Sequence, residues 1–221
     1  MTATAPHPDR VILPPALRTP AAAVSVGALL VFGVLAGRYA DDSTAGRLDR
    51  KARAIVGSTD GGPSIADVVI SLGNAESVVA FAVALCAVAL ALGRRRLALL
   101  AIAGPGLTGV ATSTLKPIIG RTIEGQFAYP SGHTGGATSL GLVAALLLVA
   151  VLRPPAGASA AVIAAGAVLC GGTMALALVA DGDHYATDTV GGFCVAVAVV
   201  FSCVGVIERW RTDDAPARAA P

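Results

Sequence analysis

Six stretches of this chain are long and apolar enough to cross a lipid bilayer, and they decide most of what it can fold into. They are residues 21–39, 76–93, 97–115, 134–152, 158–180 and 188–207. A helical span needs about 20 mostly apolar residues. Inside the hydrocarbon each backbone N–H and C=O must be satisfied within its own segment. Such a chain is therefore expected to be all-α, a polytopic membrane helical bundle of about six transmembrane helices. Composition agrees: 55% of residues are hydrophobic and 14% charged, against about 25% charged in a soluble domain. Aromatics are only 4%, so Ala, Val, Leu, Ile and Gly make up the apolar excess. Small residues of this kind let helices approach closely in lipid. The second span has an amphipathic lead-in from Ser64, broken at Gly73-Asn74.

Residues 1–20 are polar, carry Pro6, Pro8, Pro14, Pro15 and Pro20, and read as a mobile cytoplasmic tail without a signal-peptide pattern. Residues 21–207 form one domain without internal repeats, and 208–221 read as a second disordered tail. The longest polar stretch, 40–63, is an extramembrane loop with a short interfacial helix around Leu48–Val56. Cys86, Cys170, Cys194 and Cys203 sit in apolar runs and read as packing. Neither a metal site nor another cofactor is expected. A net charge of +2 gives no footing for a nucleic-acid partner. Oligomeric state has no signature.

Charge sets the orientation. With both termini inside, six alternating spans put nine bases inside, Arg94-Arg95-Arg96 among them, with four acids. The other face receives seven bases and ten acids. That is the positive-inside pattern. Trp210 then falls at the inner interface, and Tyr39, Tyr129 and Tyr185 at the outer one.

Three polar segments converge on the outer ends of the spans. In Tyr129-Pro130-Ser131-Gly132-His133-Thr134, Ser131 can cap the helix that follows. Free N–H groups at that helix start, with the helix dipole, make an anion site. His133 can donate a proton there. In His184-Tyr185-Ala186-Thr187-Asp188, a carboxylate four residues on can fix the tautomer of the imidazole. In Lys116-Pro117-Ile118-Ile119-Gly120-Arg121, two cations flank a helix-ending glycine. Each segment also has a plainer reading: a capped helix with an interfacial His, a polar pair satisfying itself, and snorkelling cations. Asp181 and Asp183 would repel a phosphate unless they bind a cation or orient an arginine; Asp183 reads as solvent-facing, or as a partner of Arg121 or of a cation.

Taken together, the segments resemble the type 2 phosphatidic acid phosphatase superfamily, which includes the vanadium haloperoxidases. Its motifs run KxxxxxxRP, PSGH and SRxxxxxHxxxD. Here they survive as Lys116, as Pro130-Ser131-Gly132-His133, and as His184 to Asp188, over roughly residues 70–207. The resemblance implies that His184 is the nucleophile forming a phosphohistidine, that Asp188 orients it, and that His133 is the general acid. Lys116, Ser131 and the Gly132 N–H would hold phosphate oxygens, without a metal. Two motif arginines are missing: their places are Ile123 and Leu178, and Ala177 and Glu124 replace their neighbours. Arg121 is the one evident substitute as a second phosphate-binding cation. The expected function is hydrolysis of a lipid phosphate or diphosphate, such as polyprenyl diphosphate or phosphatidic acid. The cell membrane, on its extracytoplasmic side, is the expected place. The alternative is a non-catalytic relative that binds lipid phosphate or scaffolds other proteins.

Overall fold

A computed structural model describes residues 11–58 and 64–209. What was expected of 1–10, of 59–63 and of 210–221, His7 and Trp210 included, lies outside the described residues. After a short 3-10 turn, Pro15–Leu17, the helices are α1 Arg18–Tyr39, α2 Arg47–Val56, α3 Ile65–Leu72, α4 Ala75–Ala91 and α5 Arg95–Ile119. A two-stranded antiparallel hairpin, β1 Thr122–Ile123 and β2 Gln126–Phe127, leads to α6 Gly132–Leu152, α7 Ala156–Asp181 and α8 Ala186–Arg209.

The protein is a multi-pass membrane protein by construction of these helices. Five of them, α1, α5, α6, α7 and α8, are each long and apolar enough to cross a membrane. Taken together as one span bent by 61°, α3 and α4 make a sixth. The bend falls at Gly73-Asn74, as the sequence suggests. Ser64 and Asp67 form a reciprocal capping box at the start of α3, and Gly73 closes it.

The most buried helix is α6, surrounded by α4, α5, α7 and α8, while α1 lies against α8. Glycine makes the closest crossing possible. A Cβ on Gly141 of α6 would collide with the Gly166 carbonyl of α7, and the reverse substitution meets the Gly141 carbonyl. Outward positions such as Leu30, Val34, Val110 and Leu169 are apolar and exposed, which suits lipid as the surrounding solvent.

Residues 11–20 differ from the mobile tail expected of them. Ile12 and Leu13 are buried, and their N–H groups donate to Glu208 Oε1 at 2.9 and 3.1 Å. Glu208 Oε2 pairs with Arg18 at 2.9 Å. Burial of two large apolar side chains, with their backbone donors satisfied by a carboxylate, fixes the segment. The start of α1 and the end of α8 are thereby tied at one end of the bundle. Glu208 and Arg209 also belong to α8 rather than to a tail.

Candidate active site

The other end of the bundle gathers the polar segments. Helix α7 stops at Gly182, whose φ of 101° suits glycine, and the N–H groups of Gly182 and His184 both donate to the Leu178 carbonyl. The chain turns there and starts α8. His184 Nδ1 lies 3.6 Å from Asp188 Oδ2, just beyond hydrogen-bond reach, and has no other partner among the described residues. Such loose geometry is common before substrate binds. Asp188 is fully buried, and its Oδ2 also accepts the Tyr185 N–H at 3.0 Å.

Beside this turn lies the start of α6. Ser131 Oγ accepts the Thr134 N–H at 3.3 Å, which is the expected N-cap. The Ser131 N–H donates to the Asp188 carbonyl at 3.0 Å, so the first turns of α6 and α8 are joined. The junction needs Gly192, where any Cβ would collide with the Ser131 carbonyl. The N–H groups of Gly132 and His133 belong to the first turn, which has no acceptors within its own helix. With the dipole of α6 behind them, they suit a phosphate oxygen. His133 is half-buried, and its Nε2 is 3.0 Å from Asn74 Oδ1 at the α3–α4 bend. His184, Lys116 and Asp183 are its neighbours. Lys116, in the last turn of α5, is half-buried, feels the Asp188 carboxylate, and makes no ion pair with the described residues.

Arg121 sits differently from its expected place on the phosphate. Gly120, with a φ of 74°, ends α5 as the sequence suggests. The guanidinium beyond it then turns to two carboxylates and is wholly buried. It contacts Asp188 Oδ1 at 2.6 Å, Thr187 Oγ1 at 2.6 Å and Asp49 Oδ2 at 2.8 Å. Tyr39 and Tyr185 cover it, with its central carbon 4.1 and 4.5 Å from the ring centroids. The physical reason is charge: two buried carboxylates claim the cation before any ligand arrives. Tyr39 and Tyr129 also leave the aromatic belt expected of them. Both are buried, Tyr39 on Arg121 and Tyr129 stacked on Phe32 with its hydroxyl on the Phe32 carbonyl at 2.8 Å.

Asp49 and Asn74 are the residues that sequence reasoning missed. Asp49 is delivered by α2, the expected interfacial helix, and is 3% exposed. Its Oδ2 accepts the Gly46 N–H at 3.0 Å, and its Oδ1 accepts the Thr187 N–H and hydroxyl at 2.9 and 2.8 Å. Burial pushes its pKa up, but the bonds from Thr187, Arg121 and Gly46 outweigh this and hold the carboxyl below its usual 3.8. Asp183 is exposed, and so is Asp181. A cavity of about 410 Å³ opens beside His184, with Arg50 and Arg53 on its α2 wall. Arg53 donates to the Val179 carbonyl. Leu178, where the resemblance would put an arginine, is fully buried, and Ile123 is in the hairpin.

Residues 113–212 match the PAP2 superfamily, the grouping that the motif pattern resembles. The matched stretch holds Lys116, Arg121, Ser131 to His133, His184 and Asp188, whereas Asp49 and Asn74 lie before it. Comparison with curated proteins gives no match. The fold is similar to the crystal structure of a transmembrane PAP2-type phosphatidylglycerolphosphate phosphatase from Bacillus subtilis. The TM-score is 0.66 and the identity 22%, over 89% of this chain and 98% of that one.

Proposed function

We propose, with the PAP2-superfamily character of segment 113–212 as the premise, that this protein is a membrane phosphatase acting on a lipid phosphate or diphosphate. The observation that carries the reading is the join of α6 to α8. It sets an imidazole with a carboxylate behind it, His184 and Asp188, beside a helix start built for anions. The Bacillus subtilis phosphatase of similar fold supports the same class.

In this scheme Lys116 and the first-turn N–H groups of α6 hold the phosphate oxygens, with Ser131 shaping the turn. His184 attacks phosphorus as the P–O bond to the lipid breaks. Asp188 stabilises the positive charge that then develops on the ring. His133 gives its proton to the departing oxygen. It next takes a proton from water, whose oxygen attacks the phosphohistidine and releases inorganic phosphate and free His184. Every role is filled by a side chain or an N–H, so a chelator should leave turnover unchanged. The catalytic unit is the bundle, 21–207, with 11–20 packed against it.

The test is phosphate release by purified protein in detergent from a panel of lipid phosphates and diphosphates. Turnover of none would sink the enzyme reading. It would favour the non-catalytic alternative, for which Ile123 and Leu178 in place of cations are the specific observation. We assign the site to the extracytoplasmic face of the cell membrane, a reading supported by the Arg94-Arg95-Arg96 cluster at the opposite end. Single cysteines at 126 and 95 should react with an impermeant reagent from opposite sides. Reaction from the same side would reject that orientation.

A further inference from the structure

We infer that Asp49 and Arg121 are positioning residues, and that α2 is thereby part of the active site. The inference rests on His184 as nucleophile and extends it to a helix outside the matched family segment. Three charged side chains form one buried cluster: Asp49, Arg121 and Asp188. Arg121 occupies one oxygen of Asp188, Oδ1, and Tyr185 N–H and His184 share the other, Oδ2. The carboxylate is thus held in one rotation, with a single oxygen aimed at the imidazole.

Asp49 fixes the other end of the same cation. Its Oδ2 takes the second guanidinium nitrogen, while its Oδ1 takes the N–H and hydroxyl of Thr187, the residue before Asp188. One carboxylate therefore ties three elements together: the start of α2 through Gly46, the chain after α5 through Arg121, and the first turn of α8 through Thr187. Its charge has a second consequence. Two carboxylates against one guanidinium leave the cluster with a net charge of −1. Without Asp49, Arg121 would neutralise Asp188 outright, and the imidazole would lose the negative charge that favours its attack and its cationic product. Other charged groups near this region include Lys116, Asp183, Arg50, Arg53, Asp42 and Arg38, with His133.

The experiment compares Asp49→Asn, Arg121→Gln and Thr187→Val with the parent, all purified in detergent. Thr187→Val keeps every charge and removes only the hydroxyl that bridges Asp49 and Arg121, so it guards against variants that fail to fold. On the most rapidly turned-over lipid phosphate, kcat should fall about 10- to 100-fold, because small misplacements at a reacting centre cost that much. KM should stay within about threefold. A rise in KM with unchanged kcat would make Arg121 a phosphate ligand and overturn the inference. Parent kcat in all three would overturn it too. A second readout needs no turnover: the rate at which diethyl pyrocarbonate modifies His184, followed by mass spectrometry. Asp49→Asn and Thr187→Val should modify His184 more slowly while His133 reacts at the parent rate. If the parent hydrolyses nothing yet this contrast holds, the enzyme reading fails and the positioning role stands. Equal His184 reactivity in parent and these two variants would reject the positioning role whatever the turnover.

Discussion

On one side of His184 the charged groups are buried and paired with one another; on the other, a cation and the first N–H groups of a helix have no such partner among the described residues. The closed side is Asp49, Arg121 and Asp188, buried, paired and covered by two tyrosine rings. The open side is Lys116, His133 and the start of α6, half-buried, with Lys116 in no ion pair among the described residues. Similar residue types thus do opposite work. Arg121 spends its donors inside the fold and gives rigidity. Lys116 makes no ion pair among the described residues, which suits the phosphate-binding role proposed for it. A cation near an active site is a ligand-binding group only if the fold has not already claimed it.

The largest effect should come from the residue between the two sides. His184→Ala should lower phosphate release by about 10⁴-fold or more; substantial residual turnover would end the nucleophile assignment. Next come the two cations. Lys116→Ala should lose about 100- to 1000-fold in kcat/KM, the cost of one preorganised donor to a transition-state oxygen, with its thermal midpoint intact. Arg121→Ala should instead destabilise the fold by about 3–5 kcal/mol, because it strands two buried carboxylates. If both variants melt alike, or neither does, the contrast between the sides collapses.

His133→Ala should be smaller and substrate-dependent. It should cost about 10²–10⁴-fold on a lipid monophosphate, whose leaving alkoxide needs a proton. On nitrophenyl phosphate, whose leaving group needs none, the loss should be clearly less. Equal losses on both would remove His133 as the acid.

The smallest effect is one of pH. The folded protein holds Asp49 below 3.8. Its stabilising contribution is therefore complete above that unfolded value and is lost as pH falls through the lower folded one. Thermal unfolding of Asp49→Asn should show a shallower loss of stability below about pH 4 than the parent. Parallel acid limbs would mean that the carboxylate of Asp49 is not what anchors α2.

The spans were legible because lipid imposes a simple rule on length and polarity, and even the break at Gly73-Asn74 announces itself through a glycine and a polar side chain. The start of α6 was legible because Ser131 capping is a local event. Asp49 was not. In sequence it is one acid among many in a polar loop, and its partners lie far along the chain, Thr187 being 138 residues away. Its one local sign is that it falls three residues after Gly46, at a helix start. Asn74 has the same difficulty, since its contact with His133 spans 59 residues. The buried pairing of Arg121 was hidden for a related reason. Counting residues from Lys116 says where a guanidinium can reach, but not which carboxylates compete for it.

The paired cluster also constrains the order in which the protein can be made. Arg121 leaves the ribosome 67 residues before Asp188, and Asp49 emerges earlier still. Until the last helix is inserted, the clamp lacks one of its two carboxylates and the hydroxyl of Thr187. Asp49 and Arg121 must wait in water, where a hydrated charge costs nothing, rather than in the half-built bundle. Both stand between membrane spans, Asp49 in the short helix α2 and Arg121 just after α5, which allows that wait. Insertion of α8 then closes the cluster and completes the docking of α2, which already meets α7 through Arg53 and the Val179 carbonyl. A nascent chain stalled before residue 186 should therefore hold α2 less firmly and leave it more open to a protease than in the finished protein.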